Sequence, residues 1–246
     1  MKFTILTLFP EIVSAFFEAS IMAKAVDRGL IEYEFVNIRD FAFDKHKTCD
    51  DVTYGGGAGM LMLPEPLACA LDSVGSKDKH VVFPSPSGKV FTQDDAMRLA
   101  KKDEVVLLCG RYEGIDQRII DEYVDEEVSI GDYVLSSGEV AALVVVDAVY
   151  RLIDGVISPS SLESESFVDC LLEYPQYTRP AVFRGVAVPE VLLSGHHANI
   201  EKWRHKKRIE KTYTNRPDLI EKSRKLNAWT RENDRILEEF INERGY

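Results

Sequence analysis

The run Val105–Cys109 constrains the fold of this chain more than any other segment, because it holds five consecutive apolar residues without polar alternation. A strand of this kind is covered on both faces, as in parallel sheets flanked by helices. Short strand-like runs elsewhere alternate with stretches at helical spacing, which is the pattern of α/β proteins. The sequence therefore predicts an α/β fold built on a parallel sheet.

The predicted strands cover residues 2–9, 32–38, 81–84 and 105–109. The first predicted helix begins at Pro10, and three more cover residues 65–73, 92–101 and 140–153. The first of them carries Ile12, Phe16, Ala19 and Ala23 at helical spacing. Thr92 is the predicted N-cap of the third, because acidic residues follow it where the helix dipole favours negative charge. The last helix is apolar on nearly every side, which favours burial against the sheet or against another subunit.

Small polar residues and a proline break all periodicity from Ser158 to Ser166. We therefore divide the chain into an α/β domain over 1–157, a flexible linker over 158–168 and a small, mostly helical domain over 169–246. The chain is long enough to bury a substantial core.

Charge is distributed unevenly along the chain. The formal net charge is -11, which taken alone argues against a nucleic-acid partner. Residues 201–225, however, hold ten Lys and Arg against four acids, which leaves the rest of the chain at -17. This basic window is accompanied by His196, His197, Trp203 and Tyr213. A polyanion-binding surface and an ordinary solvated helix face explain it equally well.

Several classes of protein are excluded by inspection. No apolar run approaches the ~20 residues that span a bilayer, and the opening segment is too short for a secretory signal. We therefore expect a cytoplasmic protein that does not insert into membranes. The four cysteines show no C-x-x-C spacing, so we expect reduced thiols and no zinc site. The glycine-rich segment 54–60 lacks the register of a dinucleotide fingerprint.

Three glycine-containing loops remain as candidates for ligand binding, because open α/β sheets bind ligands beyond the carboxyl ends of their strands. They are residues 83–88, 110–116 and 129–139. Glycine lets backbone groups approach a ligand closely, and the apolar residues nearby suit a flat body such as adenine. The sequence thus predicts a nucleotide-like pocket, although glycine after a strand is more often only a turn.

Five motifs in order resemble the bacterial tRNA (guanine-N(1)-)-methyltransferase family, a branch of the SPOUT superfamily. They are Tyr54-Gly55-Gly56-Gly57, the segment from Cys109 to Asp116, the segment from Ser129 to Ser136, Glu165-Ser166-Phe167 and Tyr177-Thr178-Arg179-Pro180. The resemblance covers nearly the whole chain. It implies a SPOUT-type trefoil knot in the first domain and an obligate homodimer whose active site lies at the subunit interface.

The family methylates the guanosine at position 37 of tRNA, 3′ of the anticodon, with S-adenosylmethionine. Magnesium is associated with its activity, but no dedicated oxygen cage is visible in this sequence. By resemblance the cofactor is held by Phe83, Pro86, Gly110, Glu113, Ile130, Gly131, Tyr133, Leu135 and Gly138. By the same route the tRNA substrate is contacted by Glu113, Asp169, His196, His197, Trp203 and Arg204.

Methylation of guanine N1 requires a base for the departing proton and a cation for negative charge on the exocyclic oxygen. The resemblance assigns these roles to Glu165 and Arg151. Both also have ordinary explanations, because cations are favoured at helix C-termini and acids are common in linkers. Asp169 is the competing carboxylate.

The chain departs from the family pattern in four places. Glu165 replaces the usual Asp, Thr53 and Ala58 replace two prolines of the glycine-rich segment, and Ser137 replaces a glycine. These departures keep a second hypothesis open, an RNA-binding SPOUT-like protein with weakened or lost catalysis. A third and weaker hypothesis is a nucleotide-dependent metabolic enzyme of doubly wound type.

Overall fold

The computed structural model describes residues 1–162 and 165–244, except for the side chains at positions 160 and 244. These residues form two compact units, Met1–Ile157 and Ser158–Tyr246. Residues 163 and 164 of the predicted linker lie outside the described part of the chain. One helical turn, Pro159–Leu162, occupies a stretch that we expected to lack regular structure.

The strands, numbered in chain order, are β1 Lys2–Thr7, β2 Glu32–Asn37, β3 Asp50–Val52, β4 Met60–Met62, β5 His80–Val90, β6 Glu104–Leu108, β7 Glu126–Ser129, β8 Val182–Phe183 and β9 Val186–Ala187. The helices are α1 Pro10–Phe17, α2 Ser20–Asp27, α3 Pro64–Ser73, α4 Gln93–Leu99, α5 Gln117–Tyr123, α6 Gly138–Tyr150, α7 Pro159–Leu162, α8 Glu190–Leu193, α9 His197–Asn215, α10 Pro217–Lys225 and α11 Arg231–Arg244. Short 3₁₀ turns cover Ile38–Phe41 and Ser76–Asp78.

The first unit is organised around a five-stranded sheet in the order β2-β1-β6-β5-β7. All four neighbouring pairs are parallel, which confirms the predicted sheet. Two further pairs, β3 with β4 and β8 with β9, form small antiparallel hairpins.

The central strand β6 is covered on both faces, as its apolar run predicts. Val105 and Leu107 belong to a core cluster with residues of α1, α2, α4 and α6. Val106 and Leu108 belong to a second cluster with residues of α3 and α5. The sheet therefore separates two apolar layers, and its edges are left to the connecting loops.

The predicted helix from Pro10 to Ala23 is wrong, because the chain forms two helices there. Ser20 has φ 53°, a left-handed conformation that interrupts the helical path between α1 and α2. The buried side chains of α1 are Val13 and Phe17. Ile12, which the spacing placed on the apolar face of the predicted helix, is exposed.

Two further elements differ from prediction. The strand predicted at 81–84 continues to Val90, with its register shifted between Pro84 and Lys89, so the predicted loop 83–88 bulges from within β5. Helix α5 and strand β7 were not predicted, because residues 117–129 hold as many acids as apolar residues, five of each, and show no clear period. The predicted N-cap of α4 is confirmed: Thr92 and Asp95 form a reciprocal capping box.

In the second unit, α9, α10 and α11 surround a small apolar cluster. Its buried members are Leu171, Ile209, Ile220 and Leu237. The basic window lies on α9 and α10.

Candidate active site

A cavity of about 470 Å³ opens where β6 and β7 end and where β5 bulges. Its size is typical of small-molecule sites. Its wall is built mainly from residues of three segments, 83–87, 110–117 and 127–138, which overlap the three predicted loops 83–88, 110–116 and 129–139. Nine lining residues are those that the resemblance associates with a cofactor: Phe83, Pro86, Gly110, Glu113, Ile130, Gly131, Tyr133, Leu135 and Gly138.

Two of the segments meet through glycines at the floor of the cavity. The Gly138 N–H donates to the Gly110 carbonyl at 2.9 Å. A Cβ on Gly138 would lie 2.7 Å from the Gly110 nitrogen, and a Cβ on Gly110 would lie 2.9 Å from the Phe83 ring. Any side chain at either position would push the segments apart, so glycine is required here by space.

The bulge in β5 lines the cavity with two serines of the predicted loop 83–88, neither of which was assigned to the cofactor. Ser85 and Ser87 share a hydrogen bond of 2.7 Å, and Ser87 donates to Glu127 Oε2 at 3.0 Å. Glu127 and Ser129 also line the cavity. Ser129 begins the predicted loop 129–139, whereas Glu127 was missed because it lies on β7, whose sequence Glu126-Glu127-Val128-Ser129 carries no apolar run.

The glycine-rich segment 54–60 packs against the wall of the cavity. Gly59 has φ 93°, and a Cβ there would overlap the Glu113 side chain. The Glu113 N–H donates to the Met60 carbonyl at 3.0 Å, which joins β4 to the loop after β6. Gly59 is therefore a second residue that sequence reasoning did not assign, and its positive φ is detectable only in the structure.

The departures from the family pattern are accommodated locally. Ser137 lines the cavity as the N-cap of α6 with φ -163°, an extended backbone that any residue adopts. The close approach to another backbone is made by the next residue, Gly138. Thr53 donates from its hydroxyl to the Gly56 carbonyl at 3.2 Å, so it closes the turn with a hydrogen bond.

Glu139 is fully buried at the start of α6, beside the cavity floor. Its Oε1 accepts a hydrogen bond from Thr7 Oγ1 at 2.7 Å. Burial raises the pKa of the neighbouring Cys109 thiol well above its usual range, and the Glu139 charge adds to this shift. Cys109 is therefore a protonated core residue, in agreement with the absence of a nucleophilic role in the expected chemistry.

Arg151 does not line this cavity. It follows the last residue of α6, whereas Gly138 begins that 13-residue helix. The rise of an α-helix places the two about 20 Å apart along the axis. Within one chain, the predicted cation and the predicted cofactor residues thus lie at opposite ends of one helix.

The two candidate carboxylates belong to the second unit and differ in their surroundings. Glu165 is half-buried, and its backbone N–H donates to the Leu162 carbonyl at 3.4 Å. Asp169 forms a two-pronged ion pair with Arg208, with 2.8 Å between Nη1 and Oδ2. The Asp169 carboxylate is thus held by the Arg208 guanidinium.

Four of the six residues predicted to contact tRNA lie on α9 or directly before it, while Glu113 lines the cavity of the first unit. His196 is the N-cap of this helix, His197 is its first residue, and both are exposed. Trp203 packs against Tyr177 with 6.3 Å between ring centroids. Arg204 lies 4.8 Å above the Tyr174 ring and pairs with Glu201 at 2.7 Å. The second unit thus holds a guanidinium–aromatic contact and a tilted pair of aromatic rings, all of partly exposed side chains.

Acids offset part of the basic window. Lys207 pairs with Glu210, Arg216 with Asp218 and Arg224 with Asp234. Several cations that the sequence counts as an excess are therefore locally neutralised.

The described residues include no group of three or more His, Cys, Asp and Glu side chains arranged to hold a metal ion. Within residues 1–162 and 165–244, no helix combines the length and the apolar character that crossing a bilayer requires.

Comparison with known proteins covers almost the whole chain. Residues 1–222 match the family described as tRNA (Guanine-1)-methyltransferase TrmD. A tRNA (guanine-N(1)-)-methyltransferase of Treponema denticola is 67% identical over 99% of this chain and 100% of its own length. The proteins of the same name from Borrelia hermsii and Treponema pallidum are 63% and 61% identical, over 89% and 98% of this chain and 92% and 96% of their own lengths. The resemblance read from the five motifs is confirmed, and the chain belongs to the tRNA (guanine-1)-methyltransferase family.

Proposed function

We propose that this protein transfers a methyl group from S-adenosylmethionine to N1 of the guanosine at position 37 of tRNA, 3′ of the anticodon. One observation carries the proposal. In a chain of this family, three segments distant in sequence form one cavity, and all nine residues implied for the cofactor line it.

The cavity suits the proposed cofactor. Phe83, Ile130 and Leu135 offer apolar surface for a flat base, while the glycines expose backbone N–H and C=O groups for polar contacts. When bound, S-adenosylmethionine supplies an activated sulfonium methyl. We also propose the SPOUT-type trefoil knot that the family implies for this unit, in which the loops at Gly110 and Gly138 lie in close backbone contact.

The reaction then needs two side chains. Glu165 accepts the proton that leaves guanine N1, the role that the resemblance assigns to it, and Asp169 remains the competing carboxylate. Arg151 stabilises the negative charge that gathers on the exocyclic oxygen. The flipped base is positioned by residues of the second unit. These are Arg204, which contacts the Tyr174 ring, and Trp203, which packs against Tyr177.

We propose further that the active site is shared by two copies of the chain. The ~20 Å helical rise between Gly138 and Arg151 keeps them apart within one copy. Val140 and Val144 remain 48% and 45% exposed on the outer face of α6, so an apolar strip of this helix is open to a second copy.

The test is to locate the methyl group. Purified protein is incubated with isotopically labelled S-adenosylmethionine and tRNA transcripts that carry G or A at position 37, and digested nucleosides are identified by mass spectrometry. We expect 1-methylguanosine at position 37 of the G transcripts and no product from the A transcripts. Binding of tRNA without transfer to either would favour the RNA-binding hypothesis, and binding of NAD alone would end the methyltransferase proposal.

A further inference from the structure

Arg111 is the one Lys or Arg among the described residues that line the cavity, whose acids are Glu113 and Glu127. It begins the turn after the central strand β6, next to Gly110. In a cavity with one cation and two carboxylates, an anionic group of a ligand binds beside the cation and away from the carboxylates.

Three residues from other elements hold this side chain. Its guanidinium lies 4.6 Å from the centroid of the Phe9 ring, a cation–π distance. Its Nη1 lies 3.5 Å from Oε2 of the fully buried Glu139. Thr7 completes the support, because its hydroxyl donates to Glu139 Oε1 at 2.7 Å and accepts from the Phe9 N–H at 2.9 Å.

This arrangement leaves hydrogen-bonding capacity unused on both partners. A guanidinium carries five N–H donors, yet the Arg111 side chain donates no hydrogen bond to any of the described residues. Glu139 Oε2 also lacks a hydrogen bond in this part of the chain. The Arg111 side chain is only 25% exposed, so water covers it incompletely. A partly desolvated guanidinium with open donors is the group that recognises a two-oxygen anion.

We propose that Arg111 is the anion-recognising residue of this cavity and that Glu139 is its positioning residue. The inference rests on the proposed function, in which the ligand with a matching anion is the donor, through the carboxylate of its amino-acid end. A phosphate of the RNA offers the same chemistry, and the experiment separates these two sources.

The experiment compares dissociation constants for S-adenosylmethionine and its decarboxylated analogue by calorimetry. Arg111→Gln alone leaves Glu139 buried without its cation, so the Arg111→Gln/Glu139→Gln pair is measured beside it to keep the fold. The ratio of the two constants is the readout, because partial unfolding lowers both affinities equally and does not change it. Arg118→Gln is the matched control, since Arg118 follows the same turn, is 70% exposed and pairs with Asp116 outside the cavity lining.

We expect the unmodified protein to prefer the carboxylate form by about 10- to 100-fold, the range of a charged hydrogen-bonded pair. The preference should disappear in the double variant, shrink in Arg111→Lys and in Glu139→Gln, and persist in Arg118→Gln. If the double variant keeps the full preference, the donor carboxylate is not bound by Arg111.

A second arm measures tRNA binding against salt concentration. Loss of one phosphate contact lowers the slope of log K against log salt by about 0.7 to 0.9. That change, together with an unaltered donor preference, would assign the anion to the RNA. If neither the donor preference nor the salt slope changes, the inference is overturned. If the unmodified protein binds neither donor, the proposed function fails, and the salt slope alone decides the role of Arg111.

Discussion

Residues 1–157 bury a sheet between two apolar clusters of 19 and 15 described residues, whereas residues 158–246 bury a single cluster of four. Charge differs in the opposite direction. The first unit carries 15 Lys and Arg against 27 acids, and the second carries 15 against 14. The first unit is thus an acidic scaffold with a deep core, and the second is a nearly neutral unit whose cations are concentrated on two helices.

The difference shows how the proposed work is divided. Close backbone approaches such as that of Gly110 and Gly138 need a rigid scaffold, because a shift of a few tenths of an ångström alters the cavity floor. A polyanion needs cations and aromatic planes at the surface, which a small core with many ion pairs provides. The predictions below test this division, from the largest expected effect to the smallest.

Replacing Glu165 by Gln should have the largest effect. The amide cannot accept the proton from guanine N1, so single-turnover methyl transfer should slow by about 10²- to 10⁴-fold while tRNA and donor still bind. Glu221→Gln, an exposed acid of α10 in the same unit, should transfer at the normal rate. A normal rate for Glu165→Gln combined with a collapse for Asp169→Asn would move the base to Asp169.

Shortening a core side chain should destabilise the first unit more than the second. Leu107→Ala in the centre of the sheet should lower the free energy of unfolding by about 2 to 5 kcal/mol. Leu237→Ala should lower it by about 2 kcal/mol or less, because the small cluster around Leu237 can relax into the cavity. Both tryptophans, Trp203 and Trp229, lie in the second unit. Urea unfolding followed by tryptophan fluorescence therefore reports on that unit, while far-UV circular dichroism reports on both.

We expect Leu107→Ala to shift the dichroism transition and Leu237→Ala to shift the fluorescence transition. Equal shifts of both signals in either variant would show that the chain unfolds as one cooperative body.

Removing a cation from the second unit should weaken tRNA binding more than removing one from the first. Arg204→Ala should lower the affinity for tRNA by about tenfold, and it should reduce the slope of log K against log salt by the amount expected for one lost phosphate contact. The Arg204 guanidinium lies over the Tyr174 ring and is one of the predicted tRNA contacts. Arg98→Ala removes a cation that pairs with Glu126 and Asp95 in the first unit, and it should leave the salt slope unchanged. The reverse order would place the RNA-binding surface on the first unit.

A pH-dependent effect of about 1 kcal/mol on stability should arise at Glu126 in the first unit. Burial favours the neutral acid at Glu126, but hydrogen bonds from Arg98 and His80 outweigh it and lower the pKa of Glu126 below 4.5. Because folding lowers this pKa, the ionised Glu126 stabilises the folded state above pH 4.5. That contribution is lost as the pH falls through the pKa of Glu126 in the folded protein.

Glu126→Gln should therefore be less stable than the unmodified protein at pH 7, and the difference should shrink on acidification below pH 4.5. Urea titrations by far-UV dichroism at several pH values provide the measurement, with the exposed Glu122→Gln as control. A difference that does not depend on pH would mean that the ion pair contributes nothing through its charge.

Much of the scaffold was readable in advance, since its signals are local. The apolar run of β6 predicted a doubly covered parallel strand, and Thr92 predicted a helix N-terminus. The misses also have local causes. Strand β7 carries two acids and one valine, so no periodicity marked it. The break at Ser20 depends on a single left-handed residue in a stretch whose spacing is helical throughout.

Sequence alone predicted a parallel sheet, its central strand and the three loops that line the cavity, because hydrophobic period and glycine content act over a few neighbouring residues. It could not pair Gly110 with Gly138, Gly59 with Glu113, or Arg111 with Glu139. Nor could it place Arg151 at the far end of the helix that Gly138 begins. These relations join residues far apart in the chain, and they depend on the path that the backbone takes once the two apolar layers close on the sheet.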